Sequence, residues 1–320
     1  MISLRQIRYF VAVAKSSSFS AAAQIVHVSQ PSLCVQMKQL EQEIGAKLLS
    51  RHARGVELTA AGAAFLPHVT AALKEIKRAE DAVAALNASR VAEISLGVTP
   101  TSGRALVADL MRKCKESARA PKLLFREGLS DELWKLVAEG ELDAAVCYDP
   151  NDAPTVRIVP LYREDLFLVG PRNILPAAGA VDRAALGNFP LVLGYRGHRT
   201  RHFIEAAARG AGADLRSVEE IEPRTLKREL LVRHGRCSIV PYGLFLDEIK
   251  SGELAARPIK PRLTRTVALL FNPSVPATVQ HFLLAAVRSI VEQRIGEREL
   301  GWCAVRCADR KAQMVQTKHR

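Results

Sequence analysis

The chain has 320 residues, a length that indicates about two domains, because a single hydrophobic core rarely grows beyond about 250–300 residues. Apolar residues make up 48% of the chain and aromatic residues only 5%, a globular composition that disfavours a surface built on base stacking. The net charge of +13 favours polyanionic partners but says nothing about the fold.

Several classes of protein are excluded by what the sequence lacks. It contains no run of about 20 uncharged apolar residues and no secretory signal at its start, so we expect a cytoplasmic protein without a membrane partner. Its six cysteines are scattered, with no Cys-x-x-Cys pair, which is typical of reduced thiols and predicts no metal site.

Catalytic motifs are also missing from the sequence. There is no phosphate-binding Gly-x-x-x-x-Gly-Lys-Ser/Thr run, no Gly-x-Ser-x-Gly and no His-Glu-x-x-His. Asp143, Cys147 and His198 could meet in a cleft, but no spacing rule supports a catalytic triad. We therefore expect a protein that is not an enzyme, with neither catalytic residues nor a cofactor.

The first 45 residues predict three helices. An apolar stripe marks the first helix, Ser20 is a candidate N-cap for a short second helix over 21–26, and Ser29 is a candidate N-cap for the third, which Gly45 ends. The stripe of the first helix consists of Ile7, Phe10, Val11 and Ala14. The core-facing residues predicted for the third helix are Leu33, Met37, Leu40 and Ile44.

The outward face of the third helix is rich in amides and hydroxyls, and residues 47–58 predict a small hairpin with a basic tip. Gln and Ser side chains can read base edges in a major groove, and a basic hairpin can contact phosphates. From the pattern alone, this helix-turn-helix interpretation and an ordinary three-helix bundle with solvated glutamines are about equally supported.

Six motifs in order then give residues 2–62 a specific resemblance to the winged helix-turn-helix of LysR-type transcriptional regulators. The motifs are Phe10–Ala14, Ser18–Ala23, Val28–Ser32, Gln39–Gly45, Leu48–Arg51 and Leu58–Gly62. The resemblance implies contacts to double-stranded promoter DNA, although Cys34 stands where the family usually has Ser or Thr, and Val35 often has a polar counterpart. The candidate DNA-binding residues are Ser29, Gln30, Pro31, Ser32, Cys34, Val35, Gln36, Lys38, Arg51 and Arg54.

A narrow apolar seam follows over residues 61–89 and predicts a long helix, in which Pro67 should end the helix, kink it or lie near the start of a separate one. The seam comprises Leu66, Val69, Leu73, Ile76, Ala79, Val83 and Leu86. Such a helix either belongs to the core of a larger domain or pairs with a partner helix. The resemblance favours a dimerising linker helix, and implies a homodimer or homotetramer.

Residues 90–295 alternate between predicted strands and helices, which favours an α/β fold with parallel sheets. Strands are predicted over 94–98, 122–126, 144–147, 165–169, 191–193, 237–240 and 267–271. This segment resembles, less closely, the family's effector domain, which has two lobes like type 2 periplasmic binding proteins. The expected architecture is a winged helix (1–60), a dimerisation helix (61–89), a two-lobed α/β effector domain (90–295) and a basic, disordered tail (296–320).

A ligand cleft is predicted where strands lead into helices, because hydroxyls and backbone N–H groups at a helix start attract anions. Two such starts are Thr99–Gly103 and Gly197–His202. Helix capping is about as good an explanation for the threonines, and solvated surface is the better one for the His/Arg cluster. The candidate effector-binding residues are Thr99, Thr101, Ser102, Ser130, Tyr148, His198, Arg199 and Thr200.

Together these features predict a sequence-specific transcriptional regulator of the LysR type, controlled by a small anionic metabolite bound between two lobes. RNA polymerase is a further candidate partner. Two alternatives stay open at this point: an architectural DNA-binding protein without sequence preference, and a redox-sensing regulator. Redox sensing is disfavoured, since Cys237 precedes an apolar strand and is expected to be packed.

Overall fold

The computed structural model describes residues 2–52, 55–86, 93–117, 120–150, 156–197, 199–215, 218–298 and 300–305. The chain forms two compact units, Met1–Ala92 with Leu136–Asp143 and Glu93–Lys135 with Ala144–Arg320. Among the described helices, none combines the length and apolar character needed to cross a bilayer.

The first unit is mainly helical and carries one small hairpin. Its elements are α1 (Leu4–Ser16), α2 (Phe19–Ile25), α3 (Gln30–Ile44), β1 (Leu49–His52), β2 (Gly55–Leu58) and α4 (Ala60–Leu86). β1 and β2 pair antiparallel. The predicted three helices and the hairpin are therefore present, whereas Arg54 of its predicted basic tip lies outside the described residues.

Two details of the first two helices differ from the prediction. The N-cap of α2 is Ser18 rather than Ser20, and its hydroxyl accepts from the Ala21 amide. This earlier start places Phe19 inside the helix, where it is buried. The buried face of α1 is also broader than the predicted stripe and centres on Phe10 and Val13, because α1 contacts α2, α3 and α4.

The third helix begins and ends as predicted. The Ser29 hydroxyl accepts a hydrogen bond from the Ser32 amide at 3.3 Å, and Gly45 closes the helix in the left-handed conformation with φ of 75°. Leu33, Met37 and Leu40 are buried in the core of the unit.

Helix α4 runs without interruption through Pro67, so two of the three expected outcomes, an end of the helix and a separate helix start, do not occur there. One missing amide hydrogen bond is outweighed by the packing on either side, where Phe65 meets Phe10 with ring centroids 5.4 Å apart and Val69 is buried. With 27 residues the helix is about 40 Å long. Leu66, Leu73 and Ile76 of the predicted seam remain half-exposed in the single chain.

The elements after α4 alternate between strands and helices. They are β3 (Glu93–Val98), α5 (Pro100–Lys115), β4 (Lys122–Glu127), α6 (Ser130–Ala138), β5 (Ala144–Tyr148), β6 (Arg157–Gly170), β7 (Val181–Asp182), β8 (Val192–Leu193), α7 (Arg199–Arg209), β9 (Glu219–Glu220), α8 (Arg224–Arg233), β10 (Ser238–Pro241), α9 (Leu246–Lys250), β11 (Ala255–Phe271), α10 (Ala277–Glu297) and β12 (Trp302–Ala304). Short 3-10 helices lie at Arg183–Asn188 and Tyr242–Phe245.

The main sheet has the strand order β10-β6-β11-β5-β3-β4. β3 pairs in parallel with β4 and β5, as the alternating pattern predicts. β6 and β11 pair antiparallel with each other and with β10 and β5, whereas the short β7 pairs in parallel with β11. The sheet is therefore mixed rather than purely parallel.

Strands β6 and β11 pass between two hydrophobic cores and so join two lobes. One core contains Tyr162 of β6 and Leu269 of β11, and the other contains Leu168 and Ile259 from the opposite ends of the same strands. The predicted strands 165–169 and 267–271 are only the ends of these long strands. Their remaining parts are rich in charge and proline, which hides the strand pattern in the sequence.

The start of the predicted disordered tail is ordered. α10 extends to Glu297, and β12 pairs antiparallel with β6, placing Trp302 opposite Glu164. The Trp302 ring stacks on the buried Tyr162 ring with centroids 3.8 Å apart. Burial of one large aromatic ring offsets the polar character of the segment around it. The rest of the tail, 306–320, lies outside the described residues.

Candidate functional site

The exposed face of α3 is polar and basic in character. Gln30, Pro31, Ser32, Val35 and Lys38 are exposed, and Val35 presents 52% of its surface. The polar and basic members of this set suit contacts with base edges and phosphates.

Hydrogen bonds along α3 fix the direction of its glutamines. The Ser20 hydroxyl donates to Gln30 Oε1 at 2.9 Å, which ties α2 to the start of α3. Gln36 Nε2 donates to Gln39 Oε1 at 3.0 Å one turn further on. α3 therefore presents an ordered row of amides, which the Ser20 hydroxyl of α2 helps to orient. This role of Ser20 was not predicted from the sequence.

Of the remaining candidate DNA-binding residues, one is less accessible to DNA and two are not fully described by the structure. Cys34 is half-buried and packs against the core, because it follows the buried Leu33 around the helix. Arg51 belongs to β1, but its side chain is outside the described part, and Arg54 lies outside the described residues. Glu41, which was not singled out from the sequence, accepts hydrogen bonds from the Leu48 and Leu49 amides and so secures the hairpin to α3.

A cavity of about 300 Å³ lies at strand ends and helix starts of the second unit. Of the predicted effector residues, it brings together four: Thr99, Thr101, Tyr148 and Thr200. Further residues that line it include Gly194, Arg201, Glu222, Arg224, Lys227, Ser238 and Arg265.

The start of α5 forms a tight capping box. The Ser102 amide donates to Thr99 Oγ1 at 3.3 Å, and the Thr99 amide donates to Ser102 Oγ at 2.9 Å. Both hydroxyls thus serve the helix start, and Ser102 does not line the cavity. Thr101, which is buried and lines the cavity, is the better placed of the three for a ligand.

Two other described candidates do not line the cavity. The buried Ser130 hydroxyl accepts from the Tyr148 amide at 3.1 Å, so it supports the cavity wall from behind. Arg199 lies 3.7 Å from Asp131 in a partly exposed pair. His198 lies outside the described residues.

Arg201 is the main residue that the sequence reasoning missed. It belongs to the His/Arg cluster for which a solvated surface was expected, yet its side chain is 0% exposed. Its Nε donates to Glu205, whereas Nη1 and Nη2 have no hydrogen-bond partner. The spacing of Arg201, Ile204 and Ala208 is the buried face of α7 and could have indicated this position.

A second buried arginine, Arg265, is already paired. Its Nε and Nη2 donate to Glu164 Oε1 at 2.7 and 2.6 Å, its Nη1 donates to the Thr200 hydroxyl at 3.1 Å, and its guanidinium lies 3.6 Å from the Tyr148 ring centroid. Because its charge is compensated, Arg265 shapes the cavity wall, while Arg201 has donors to spare for an anion.

Buried cysteines of this unit are poor candidates for redox chemistry. Burial raises the pKa of the Cys147 and Cys237 thiols to about 12, so both are protonated at neutral pH. The reactive form of cysteine is the thiolate. Among the described residues, no group of three or more His, Cys, Asp or Glu side chains is arranged to hold a metal ion.

A helix-turn-helix with an exposed polar helix, followed by a two-lobed domain with a cavity, defines a ligand-responsive DNA-binding protein. The chain belongs to the LysR family of bacterial transcriptional regulators. The family model for the bacterial regulatory helix-turn-helix protein, lysR family, matches residues 4–63, and the model for the LysR substrate binding domain matches residues 87–289.

Individual relatives agree with this assignment. The chain is 30% identical to the nitrogen assimilation regulatory protein nac of Klebsiella aerogenes over 60% of this chain and 63% of that protein, so it spans less than two thirds of this relative. It is 31% identical to the HTH-type transcriptional regulator TcbR of Pseudomonas sp. strain P51 over 74% of this chain and 82% of that protein.

Solved structures include the same architecture bound to DNA. Full-length CbnR in complex with its target DNA is similar with a TM-score of 0.67 and 26% identity, covering 90% of this chain and 100% of that chain. The chain is thus a LysR-type transcriptional regulator with a helix-turn-helix and an effector-binding domain.

Proposed function

We propose that this regulator binds a specific promoter sequence through α3 and the β1–β2 hairpin, and that an anionic metabolite in the cavity controls this binding. In this proposal residues 1–60 bind DNA, residues 61–89 pair two chains through α4, and residues 90–295 sense the ligand. The half-exposed apolar seam of α4 supports the pairing, since in a single chain it faces water. RNA polymerase is the partner through which such a regulator acts on transcription.

The two unpaired nitrogens of the buried Arg201 guanidinium carry the assignment of an anion. Burying charged N–H donors without acceptors is costly, so native proteins rarely do so outside functional sites. Arg201 lines the cavity with two nitrogens unpaired, and a carboxylate accepts from both of them in the bidentate geometry that arginine favours. Thr101, at the start of α5, adds a hydroxyl to the lining of the same cavity.

Regulation then follows from differential binding. A ligand that bridges the two lobes favours one arrangement of β6 and β11, the strands that join the lobes. This change in the population of lobe arrangements alters the placement of the paired helix-turn-helix units on DNA. In this proposal the sensing domain does not contact DNA. The part of the net charge of +13 that it carries therefore lies away from the DNA.

The test is a thermal-shift screen of organic acids against the matched neutral amides, on the full-length protein. At least one acid should raise the melting temperature, its amide should not, and Thr101→Val should weaken the response. If no acid stabilises the protein, or amides act as well as acids, the assignment of an anionic ligand fails.

A further inference from the structure

The cavity contains a buried acceptor as well as buried donors. Glu222 lines it, and Glu222 Oε2 is shielded from water without a hydrogen-bond partner. Among the described residues lining the cavity, Arg201 and Glu222 alone have buried side-chain atoms in this condition. The two Arg201 nitrogens lack an acceptor, and the Glu222 oxygen lacks a donor.

The Glu222 carboxylate lies in space left by a glycine. It follows β9 and its carboxylate lies over Gly194, where an added Cβ atom would come within 2.4 Å of Oε2. A side chain at position 194 would therefore displace this carboxylate from its place in the cavity lining.

Neighbouring cations do not supply the missing donor. Arg224 donates to Glu248, and Arg265 donates to Glu164, so both are engaged elsewhere. Burial lowers the pKa of Lys227, a shift that the Glu222 carboxylate opposes through its charge. This interaction is electrostatic, and it leaves Glu222 Oε2 without a hydrogen bond.

We propose that the ligand is a small carboxylic acid that also carries a hydrogen-bond donor, an amino acid or a hydroxy acid, with its carboxylate on Arg201 and its donor on Glu222. This inference rests on the proposed function and narrows it. A plain acid would leave the Glu222 oxygen unpaired beside an apolar group and bind about 10- to 100-fold less tightly.

The test is titration calorimetry of the full-length protein with matched sets of three acids on one carbon skeleton. Suitable sets are alanine, lactate and propionate; leucine, 2-hydroxy-4-methylpentanoate and 4-methylpentanoate; phenylalanine, 3-phenyllactate and 3-phenylpropionate; and glutamate, 2-hydroxyglutarate and glutarate. In a set that fits, the amino or hydroxy member should bind at least about tenfold tighter than the plain acid.

Glu222→Gln separates the two kinds of donor. The neutral amide oxygen still accepts from a hydroxyl but loses the charge that attracts an ammonium, so the variant should lose the preference for an amino acid and keep that for a hydroxy acid. Glu220→Gln, an exposed carboxylate paired with Arg196, is the matched control and should leave both preferences intact.

Two results would overturn the inference, and they differ in what they leave standing. If plain acids bind as tightly as their donor-bearing partners in every set that binds, the ligand class is wrong while the anion site stands. If no acid binds at all, the proposed function fails and this inference fails with it. The comparison of wild-type affinities does not depend on the variants folding.

Discussion

Replacing Arg201 with methionine should weaken ligand binding strongly while leaving the free energy of unfolding nearly unchanged or slightly higher. Methionine keeps the unbranched apolar stem and removes the guanidinium, which is fully buried and bonded only through Nε to Glu205. Glu205 is 23% exposed, so water can solvate its carboxylate after the change. The variant should therefore lose little stability, or gain up to about 2 kcal/mol, because a costly buried charge is removed.

The effect of Arg201→Met on affinity should be large. Two charge-assisted hydrogen bonds to the ligand carboxylate are worth about 3 to 6 kcal/mol, or about 10²- to 10⁴-fold in Kd. Urea unfolding measures the stability, and calorimetry with the best acid measures the affinity. Arg209→Met, on the exposed end of α7, is the matched control and should change neither.

A contrary pair of results would refute this reasoning. If Arg201→Met loses more than about 3 kcal/mol of stability while ligand affinity stays as in the wild type, then Arg201 is a structural residue whose charge is compensated within the fold.

Three further changes test other parts of the molecule. Lys38→Ala should weaken binding to all duplexes equally and reduce the salt slope by about 0.9 per bound copy, and a selective loss on one sequence would contradict a phosphate contact. Trp302→Ala should cost about 3 kcal/mol in urea unfolding, because the ring covers Tyr162, and an unchanged midpoint would contradict this. Glu41→Gln should cost about 2 kcal/mol at neutral pH, where the exposed Glu43→Gln costs little. Burial of Glu41 raises its pKa, but bonds from Lys47 and two amides lower it below 4.5 overall, so this difference should shrink as pH falls through the folded pKa; a difference that persists in acid would contradict the assignment.

The first unit was predictable from local signals. Ser29, Pro31 and Gly45 mark the ends of α3 by capping chemistry, and the spacing of Leu33, Met37 and Leu40 marks its buried face. The error at α2 arose because Ser18 and Ser20 can both cap a helix, and the choice between them depends on the burial of Phe19, a tertiary effect.

The second unit was harder to predict because its long strands are defined by partners far along the chain. Pro258 and the charged residues around Glu164 conceal β11 and β6, whose pairing brings residues about 100 positions apart into register. The cavity depends on that pairing, so the sequence pattern indicated mainly the cavity residues at helix starts. Arg201 and Glu222 were missed because charged side chains are expected in water, and only the packing of the lobes reverses this.

The most direct test of the account measures the affinity of the full-length protein for two duplexes with and without the best acid. One duplex is selected from a random-sequence pool, and the other is its scrambled counterpart, both measured at several salt concentrations. The selected duplex should bind at least about 10³-fold tighter, and the acid should change this affinity at least about fivefold in the wild type but not in Arg201→Met. Equal affinity for both duplexes would indicate an architectural DNA-binding protein, and an acid that binds without altering DNA affinity would contradict control through the cavity.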